Sequence, residues 1–154
     1  MTESAGLTLI ETQVNAVNGF ASTGTAENIA IAKWGILNTG KSDHYAIITP
    51  GPTERLRISF GFVDNGYRTI IEVWQRYKDD GTTLTTLIGY VDAIAARLDQ
   101  YRQLADTTNK IRDAQVSGFS EVTEQWRNNA DGPSWLKRDI YVDWKEESNV
   151  SYQE

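Results

Sequence analysis

The sequence contains no cysteine and a single histidine, His44. Without thiols the chain has no disulfide, thiol nucleophile, zinc ribbon or iron–sulfur centre, and one histidine excludes a histidine-rich metal site. Cations are also in deficit, with 15 Lys and Arg against 21 Asp and Glu and a formal charge of −6. Because phosphate neutralisation needs a surplus of cations, this balance argues against general nucleic-acid binding.

Long apolar runs are missing as well. No window approaches the roughly 18 consecutive apolar residues of a membrane span, and the N-terminal part lacks the basic start and apolar stretch of a secretion signal. We therefore expect a protein made and kept in a reducing cytoplasm, or in a particle assembled there. What the chain does have is 40% apolar and 10% aromatic residues over 154 positions, enough for the core of one domain.

Apolar spacing predicts two helices. Residues 3–17 carry apolar side chains at helical intervals and predict a short amphipathic helix. After Gly81 a longer helical stripe begins at Leu84 and runs over residues 84–101, with Thr82 or Thr83 as the predicted cap. This second segment predicts the one long helix of the chain.

Strands are predicted from alternation and from β-branched runs. Residues 45–49 form such a run, which the turn chemistry of residues 50–52 (PGP) is expected to stop. Residues 56–62 alternate, and Asp64, Asn65 and Gly66 predict a tight hairpin turn into residues 67–77. Residues 111–116 and 119–126 are expected to form one long interrupted strand or two short ones, with Gly118 as a bulge candidate. A last strand is expected over 135–145, whereas residues 20–41 give conflicting signals.

This order of elements predicts an α+β fold, in which a mostly antiparallel sheet of four to five strands packs on one long helix, with a short N-terminal helix. Residues 1–146 are expected to form a single domain and residues 147–154 a polar, acidic, flexible tail. One helix leaves a sheet face partly uncovered. That face is expected to carry either Ile70 with Trp74 or Ile71 with Val73, and such apolar surface usually marks a protein interface.

The segment GILNTGKS at residues 35–42 fits the P-loop pattern G-x-x-x-x-G-K-[ST]. In a P-loop the backbone between Gly35 and Gly40 cradles phosphates, Lys41 reaches the β and γ phosphates, and Ser42 holds magnesium at a helix start. Here a β-branched run closed by Pro50 follows, which predicts a strand. We prefer a Gly-bounded turn, and a small P-loop NTPase or phosphotransferase is the alternative.

The remaining polar clusters do not predict an active site. Asp79 with Asp80, and Glu146 with Glu147, lie in polar segments where nothing desolvates them, so a solvated turn and tail are the preferred interpretation. The five tryptophans are explained by core packing and interface anchoring. No catalytic residue, metal ligand or cofactor is predicted.

Four segments carry a resemblance to a known family: YAIITPGP at 45–52, RTIIEVWQRYKDD at 68–80, LTTLIGYVDAIAARLDQYRQL at 84–104 and NADGPSWLKRDIYVDW at 129–144. Their succession resembles the tail terminator, or tail-completion, proteins of long-tailed bacteriophages. The similarity runs from about residue 45 to residue 144, roughly two thirds of the chain. None of these segments is a catalytic signature.

The resemblance implies a structural virion protein, and not an enzyme, that forms a ring, commonly hexameric. Such a ring caps the tail tube, docks to the head connector in the neck and is assembled in the host cytoplasm. DNA passes through its acidic channel without specific binding. Another tail-associated ring or head-completion protein is a further alternative. The expected interface residues are Ile70, Trp74, Asp79, Asp80, Trp126 and Tyr141.

Overall fold

The computed structural model describes residues 3–17, 20, 29–31, 43–59, 62–78, 81–101, 103–105, 110–126 and 133–149. In chain order the elements are α1 (Glu3–Asn15), β1 (Ile29–Ile31), β2 (His44–Ser59), β3 (Phe62–Arg76), α2 (Thr83–Gln100), β4 (Leu104–Ala105), β5 (Lys110–Phe119), β6 (Thr123–Trp126) and β7 (Pro133–Asn149). Both predicted helices are present, because their apolar residues recur at the helical period and bury one stripe.

The strands within these ranges form one sheet in the order β1-β2-β3-β7-β5-β4, and β6 also pairs with β7. β1 runs parallel to β2, whereas the other described pairings are antiparallel. β2, β3, β5, β6 and β7 have four or more residues, and β1 and β4 add short segments of three and two. The predicted α+β class and its mostly antiparallel sheet are confirmed.

Both helices lie on the same side of the sheet and enclose the core with it. α2 buries Leu87, Val91 and Leu98, as its stripe predicts, whereas Leu84 at its start is 47% exposed. The sheet contributes buried aliphatic and aromatic side chains from five strands: Ala46, Ile48, Ile71, Val73, Leu104, Ile111, Ala114, Leu136, Ile140, Val142 and Trp144. At roughly 25 cal/mol per Å² of apolar surface removed from water, this burial is the main stabilising contribution.

α1 is fixed to the sheet by a close contact with Trp144. Gly6 is buried in the first turns of α1, and a Cβ atom there would lie only 2.5 Å from Cζ2 of the Trp144 indole. The indole Nε1 donates a hydrogen bond of 2.9 Å to Oγ1 of Thr69 on β3, and both residues are buried. Trp144 therefore connects α1, β3 and β7, and position 6 has room only for a hydrogen atom.

The predicted hairpin exists, but its turn is not at Asp64, Asn65 and Gly66. These residues lie within β3, opposite residues 54–56 of β2, so the connection between the strands spans residues 60 and 61. The physical reason is β7, which pairs with Gly66 and its neighbours from the other side. Ladder hydrogen bonds to two strands outweigh the local turn preference of this segment.

The predicted turn at residues 50–52 is also wrong, because β2 continues through it. A register shift between Pro50 and Thr53 accommodates both prolines. β1 pairs with β2 only at residues 46–48, so within the described strands the prolines occupy an edge, where a missing N–H costs no ladder bond. Gly118 does lie at a register shift of β5, as predicted, and β7 continues past residue 146 to Asn149.

The start of α2 differs in detail from the predicted cap. Thr82 occupies the N-cap position without a side-chain cap hydrogen bond. Thr83 instead bonds back to Lys78, accepting from its N–H at 2.9 Å and donating to its carbonyl at 3.2 Å. The connection between β3 and α2 is thus closed by buried Thr83, one of the two predicted cap residues, whose hydroxyl bonds to the backbone of Lys78.

Candidate interaction surface

The sheet has one face directed away from the helices. On β3 and β7, successive side chains alternate between the core and this side, which we call the open face. Ile70 of β3 lies directly opposite Tyr141 of β7, and Trp74 lies opposite Lys137. Ile70, Trp74 and Tyr141 are half-buried, whereas Ile71 and Val73 belong to the core, which decides between the two sets that the sequence left open.

A lysine between two carboxylates occupies the middle of the open face. The Lys137 Nζ lies 2.7 Å from Glu72 Oε1 and 3.6 Å from Asp139 Oδ1. The same ammonium lies 5.4 Å from the centroid of the Trp74 ring. The side chains of Glu72, Lys137 and Asp139 are each only about one fifth exposed, so this ion pair is less screened than an ordinary surface pair.

Two polar atoms of this cluster are buried without a hydrogen-bond partner. They are Trp74 Nε1, a donor, and Asp139 Oδ1, an acceptor. Burial raises the pKa of the Asp139 carboxyl, Lys137 opposes this shift and Glu72 adds to it. Asp139 Oδ1 keeps the Lys137 ammonium at 3.6 Å as its ion-pair partner, so the Trp74 indole N–H is the group of this cluster that lacks a polar partner.

A second ion pair lies farther along the open face. Arg68 donates from Nε to Asp143 Oδ1 at 2.9 Å and from Nη2 to Oδ2 at 3.3 Å, a two-point contact. Its guanidinium lies 5.5 Å from the centroid of the Tyr141 ring. The hydrogen bond from Arg68 lowers the pKa of Asp143. Arg68 and Lys137 of the open face therefore each pair with a carboxylate and lie near an aromatic ring.

A cleft of about 650 Å³ continues the open face where β2, β3, β5 and β7 meet. Its lining includes Arg68, Asp143, Lys145 and Glu54, groups of both signs, together with Asp113 of β5. Asp113 has φ 51° and lies at the register shift that precedes Gln115. The cleft is thus a mixed-charge extension of the same surface, shaped by a bulge in β5.

The structure brings three of the predicted interface residues together, namely Ile70, Trp74 and Tyr141. Trp126 lies in β6, where its backbone pairs with Pro133, and its side chain lies outside the described part. Asp79 and Asp80, and the P-loop candidates Gly35, Gly40, Lys41 and Ser42, also lie outside the described residues. Their predicted roles stay predictions.

Sequence reasoning missed the charged residues of this surface. Arg68, Glu72, Lys137, Asp139 and Asp143 all lie on the open face, at alternate positions of β3 and β7. A signal was present, because the period of two in residues 135–145 separates the charged and apolar sides of that strand. The partners across strands required the register of β3 against β7.

Within the described ranges, no cluster of three or more His, Asp or Glu side chains could hold a metal ion. None of the described helices is both long and apolar enough to span a bilayer.

Comparisons with known proteins identify a similar fold but no family. No family model matches the chain, and no curated protein matches it. Among solved structures, the chain is similar to a chain of a structure titled "Virion of native gene transfer agent (GTA) particle". The match covers 94% of this chain and 97% of that chain, with a TM-score of 0.56 and 16% sequence identity. At this identity the likeness shows the fold.

Proposed function

We propose that this chain is a structural virion protein of a phage-like particle, without catalytic activity, and that it assembles into a ring. The ring, hexameric as is common in the family that the sequence resembles, ends the tail tube and joins it to the head connector. It lies in the neck of the virion, is assembled in the host cytoplasm and leaves a channel through which DNA passes.

The open face is the observation that carries this proposal. Half-buried Ile70, Trp74 and Tyr141 lie among ion pairs on a sheet face that neither helix covers. Surfaces that combine aromatic residues with pre-arranged charges are typical of protein interfaces. The fold adds support, since it is shared over nearly the whole length with a chain of a virion particle.

Charge supports the proposed channel. The chain has a formal charge of −6, and a closed ring of six copies carries six times that charge. An acidic channel repels the phosphates of DNA, which allows passage without binding. We assign Ile70, Trp74 and Tyr141 to contacts between subunits, and Asp79, Asp80 and Trp126 to contacts with stacked rings. The ring domain in this proposal includes β7 to Asn149, three residues beyond the predicted boundary at residue 146, because residues 147–149 pair with β3.

The test is the size and shape of the purified full chain, alone and with the tail-tube protein of the same particle. Light scattering should give the mass of a ring, and negative-stain images should show a closed ring with a central opening, bound at one end of tube segments. A chain that stays monomeric at high concentration and also ignores the tube protein contradicts the proposal.

A further inference from the structure

We infer that Asn65 of β3 is a deamidation site, which reacts only when residues 146–149 of β7 separate from β3. The inference is independent of the proposed ring. Asn65 is followed by Gly66, and glycine is the neighbour that favours deamidation most, because no side chain hinders its backbone. The fold does not use this pair as a turn, since it lies within β3 and Gly66 has no positive φ.

Deamidation starts when the backbone nitrogen of Gly66 attacks the side-chain carbonyl carbon of Asn65. A new C–N bond closes a succinimide ring, and the side-chain amide takes up the proton of the attacking nitrogen and leaves as ammonia. Water then opens the ring at one of its two carbonyls, which gives aspartate or isoaspartate at position 65. Because water is the co-reactant, the rate depends on how readily the chain reaches the cyclic geometry.

The sheet around Gly66 prevents this geometry. Gly66 lies opposite Glu54 of β2 on one side and opposite Lys145 of β7 on the other. In an antiparallel ladder the N–H and the C=O of one residue point to the same neighbouring strand, and here a strand lies on each side. The Gly66 N–H is therefore held in a ladder whichever side it faces, and the extended backbone keeps its nitrogen away from the side chain of Asn65.

The end of β7 is the part of this sheet that can open at low cost. On β7, Trp144 is the last described side chain of the core, and exposed Lys145 is the last residue that pairs with β5. Among the described strands, residues 146–149 therefore pair with β3 alone. The register also sets Asp64 directly opposite Glu147, and like charges at such positions weaken the pairing. Segments of this kind open locally, without global unfolding.

Opening of β7 allows the local turn preference of Asn65 and Gly66 to act. Beyond the core, β2 and β3 then form a two-stranded ribbon, which is marginally stable in water. Its turn can move to residues 64–66, where the sequence favours a tight turn, and the cyclic geometry becomes accessible.

The products of the reaction oppose renewed pairing of β7. A carboxylate at position 65 would stand opposite Glu146 in the register, a second pair of like charges beside Asp64 and Glu147. Isoaspartate adds a carbon to the backbone and so disturbs the register beyond it. Deamidation thus converts a reversible opening of β7 into a permanent one.

The experiment follows deamidation of the purified full chain by peptide mass spectrometry in mildly alkaline buffer, with and without denaturing urea. The double variant Glu146→Pro with Glu147→Pro removes two successive backbone N–H groups, one of which points to β3, and so opens the end of β7. Glu146→Ala with Glu147→Ala is the matched control, since it removes the same carboxylates and keeps both N–H groups. Circular dichroism and thermal unfolding check that each variant is folded.

Gly66→Ala tests the chemistry itself. A Cβ atom at position 66 would lie 3.7 Å from Cβ of Glu54, an ordinary contact, so the variant should fold. Because alanine hinders the attacking nitrogen, deamidation of Asn65 should become much slower in urea as well as in buffer.

We expect Asn65 of the folded wild type to react more than about tenfold slower than in denaturing urea, because local opening limits the rate. The proline variant should react several-fold faster than wild type, and the alanine pair no faster. In wild type, urea below the unfolding transition should raise the rate with a much shallower slope than that of global unfolding, a measurement that does not need the proline variant to fold.

Three results would each overturn the inference. The first is a folded wild type that reacts as fast as the chain in denaturing urea. The second is a folded proline variant that keeps the wild-type rate. The third is a urea slope equal to that of global unfolding, which would show that Asn65 reacts only from the unfolded chain.

Discussion

The same substitution, glycine to alanine, should have opposite effects at two positions of the helices. Gly6 is buried in α1 against Trp144, whereas Gly89 is exposed in the middle of α2. A Cβ atom at position 6 would lie 2.5 Å from Cζ2 of the indole, well inside ordinary van der Waals distance, while at position 89 it would meet no atom within 4 Å. Gly6→Ala and Gly89→Ala therefore add the same methyl group in two different surroundings.

The magnitudes follow from two opposing effects. Alanine is favoured over glycine inside a helix by about 0.5–1 kcal/mol, and this gain is available at both positions. Forcing an extra carbon into a packed core costs about 1–3 kcal/mol, and this cost applies only at position 6, since Trp144 is held by Thr69 and cannot turn aside freely. We expect Gly6→Ala to lower the free energy of unfolding by about 1–2 kcal/mol, and Gly89→Ala to raise it by about 0.5–1 kcal/mol.

Urea unfolding monitored by tryptophan fluorescence, with thermal scans beside it, measures both variants. For a chain of this length about 1 kcal/mol corresponds to a shift of about 2–4 °C in Tm. Because the proposed assembly would make apparent stability depend on concentration, the comparison is repeated over a range of protein concentrations. If both variants move in the same direction at every concentration, the assigned packing of α1 on Trp144 is wrong.

Three further predictions concern individual contacts. Thr69→Val should leave the buried Trp144 indole N–H without an acceptor and cost about 1–3 kcal/mol in urea unfolding, and the cost should shrink in a Trp144→Phe background, where no donor remains. The pKa of Asp143 is lowered by the hydrogen bond from Arg68, so its stabilisation should be present above the unfolded carboxyl pKa and be lost as pH falls through the lower folded value. Asp143→Asn should therefore flatten the acid side of the stability profile, and an unchanged profile contradicts the pairing. ATP titration with magnesium should give no saturable binding to wild type or to Lys41→Ala, and binding that the variant loses supports the P-loop alternative.

Much of the fold is predictable because its signals are local. The stripe of α2 needs only the spacing of Leu87, Val91 and Leu98, which any helix would bury on one side. The turns predicted at residues 50–52 and 64–66 are wrong because the structure of these segments is decided by other strands and not by local signals. Local turn chemistry carries no information about β7, which lies beside Gly66, or about the register shift that accommodates Pro50 at an edge. The outcome at Gly66 depends on Lys145, about 80 positions away in the sequence, and the outcome at Pro50 depends on its pairing with Thr69 of β3.

The open face was predictable as apolar surface but not as a charged one. The richness of residues 67–77 in β-branched and aromatic side chains placed Trp74 on a strand, and the alternation of residues 135–145 placed Tyr141 on another. That Lys137 meets Glu72 follows only from the register, in which Trp74 is opposite Lys137 and Glu72 opposite Asp139. A slip of one residue would turn these groups into the core, where unpaired charges are far more costly, so the apolar sides of both strands fix the register. The ion pairs of the proposed interface are thus a consequence of core packing on the other side of the same sheet, and a variant that disturbs that core should also disturb assembly.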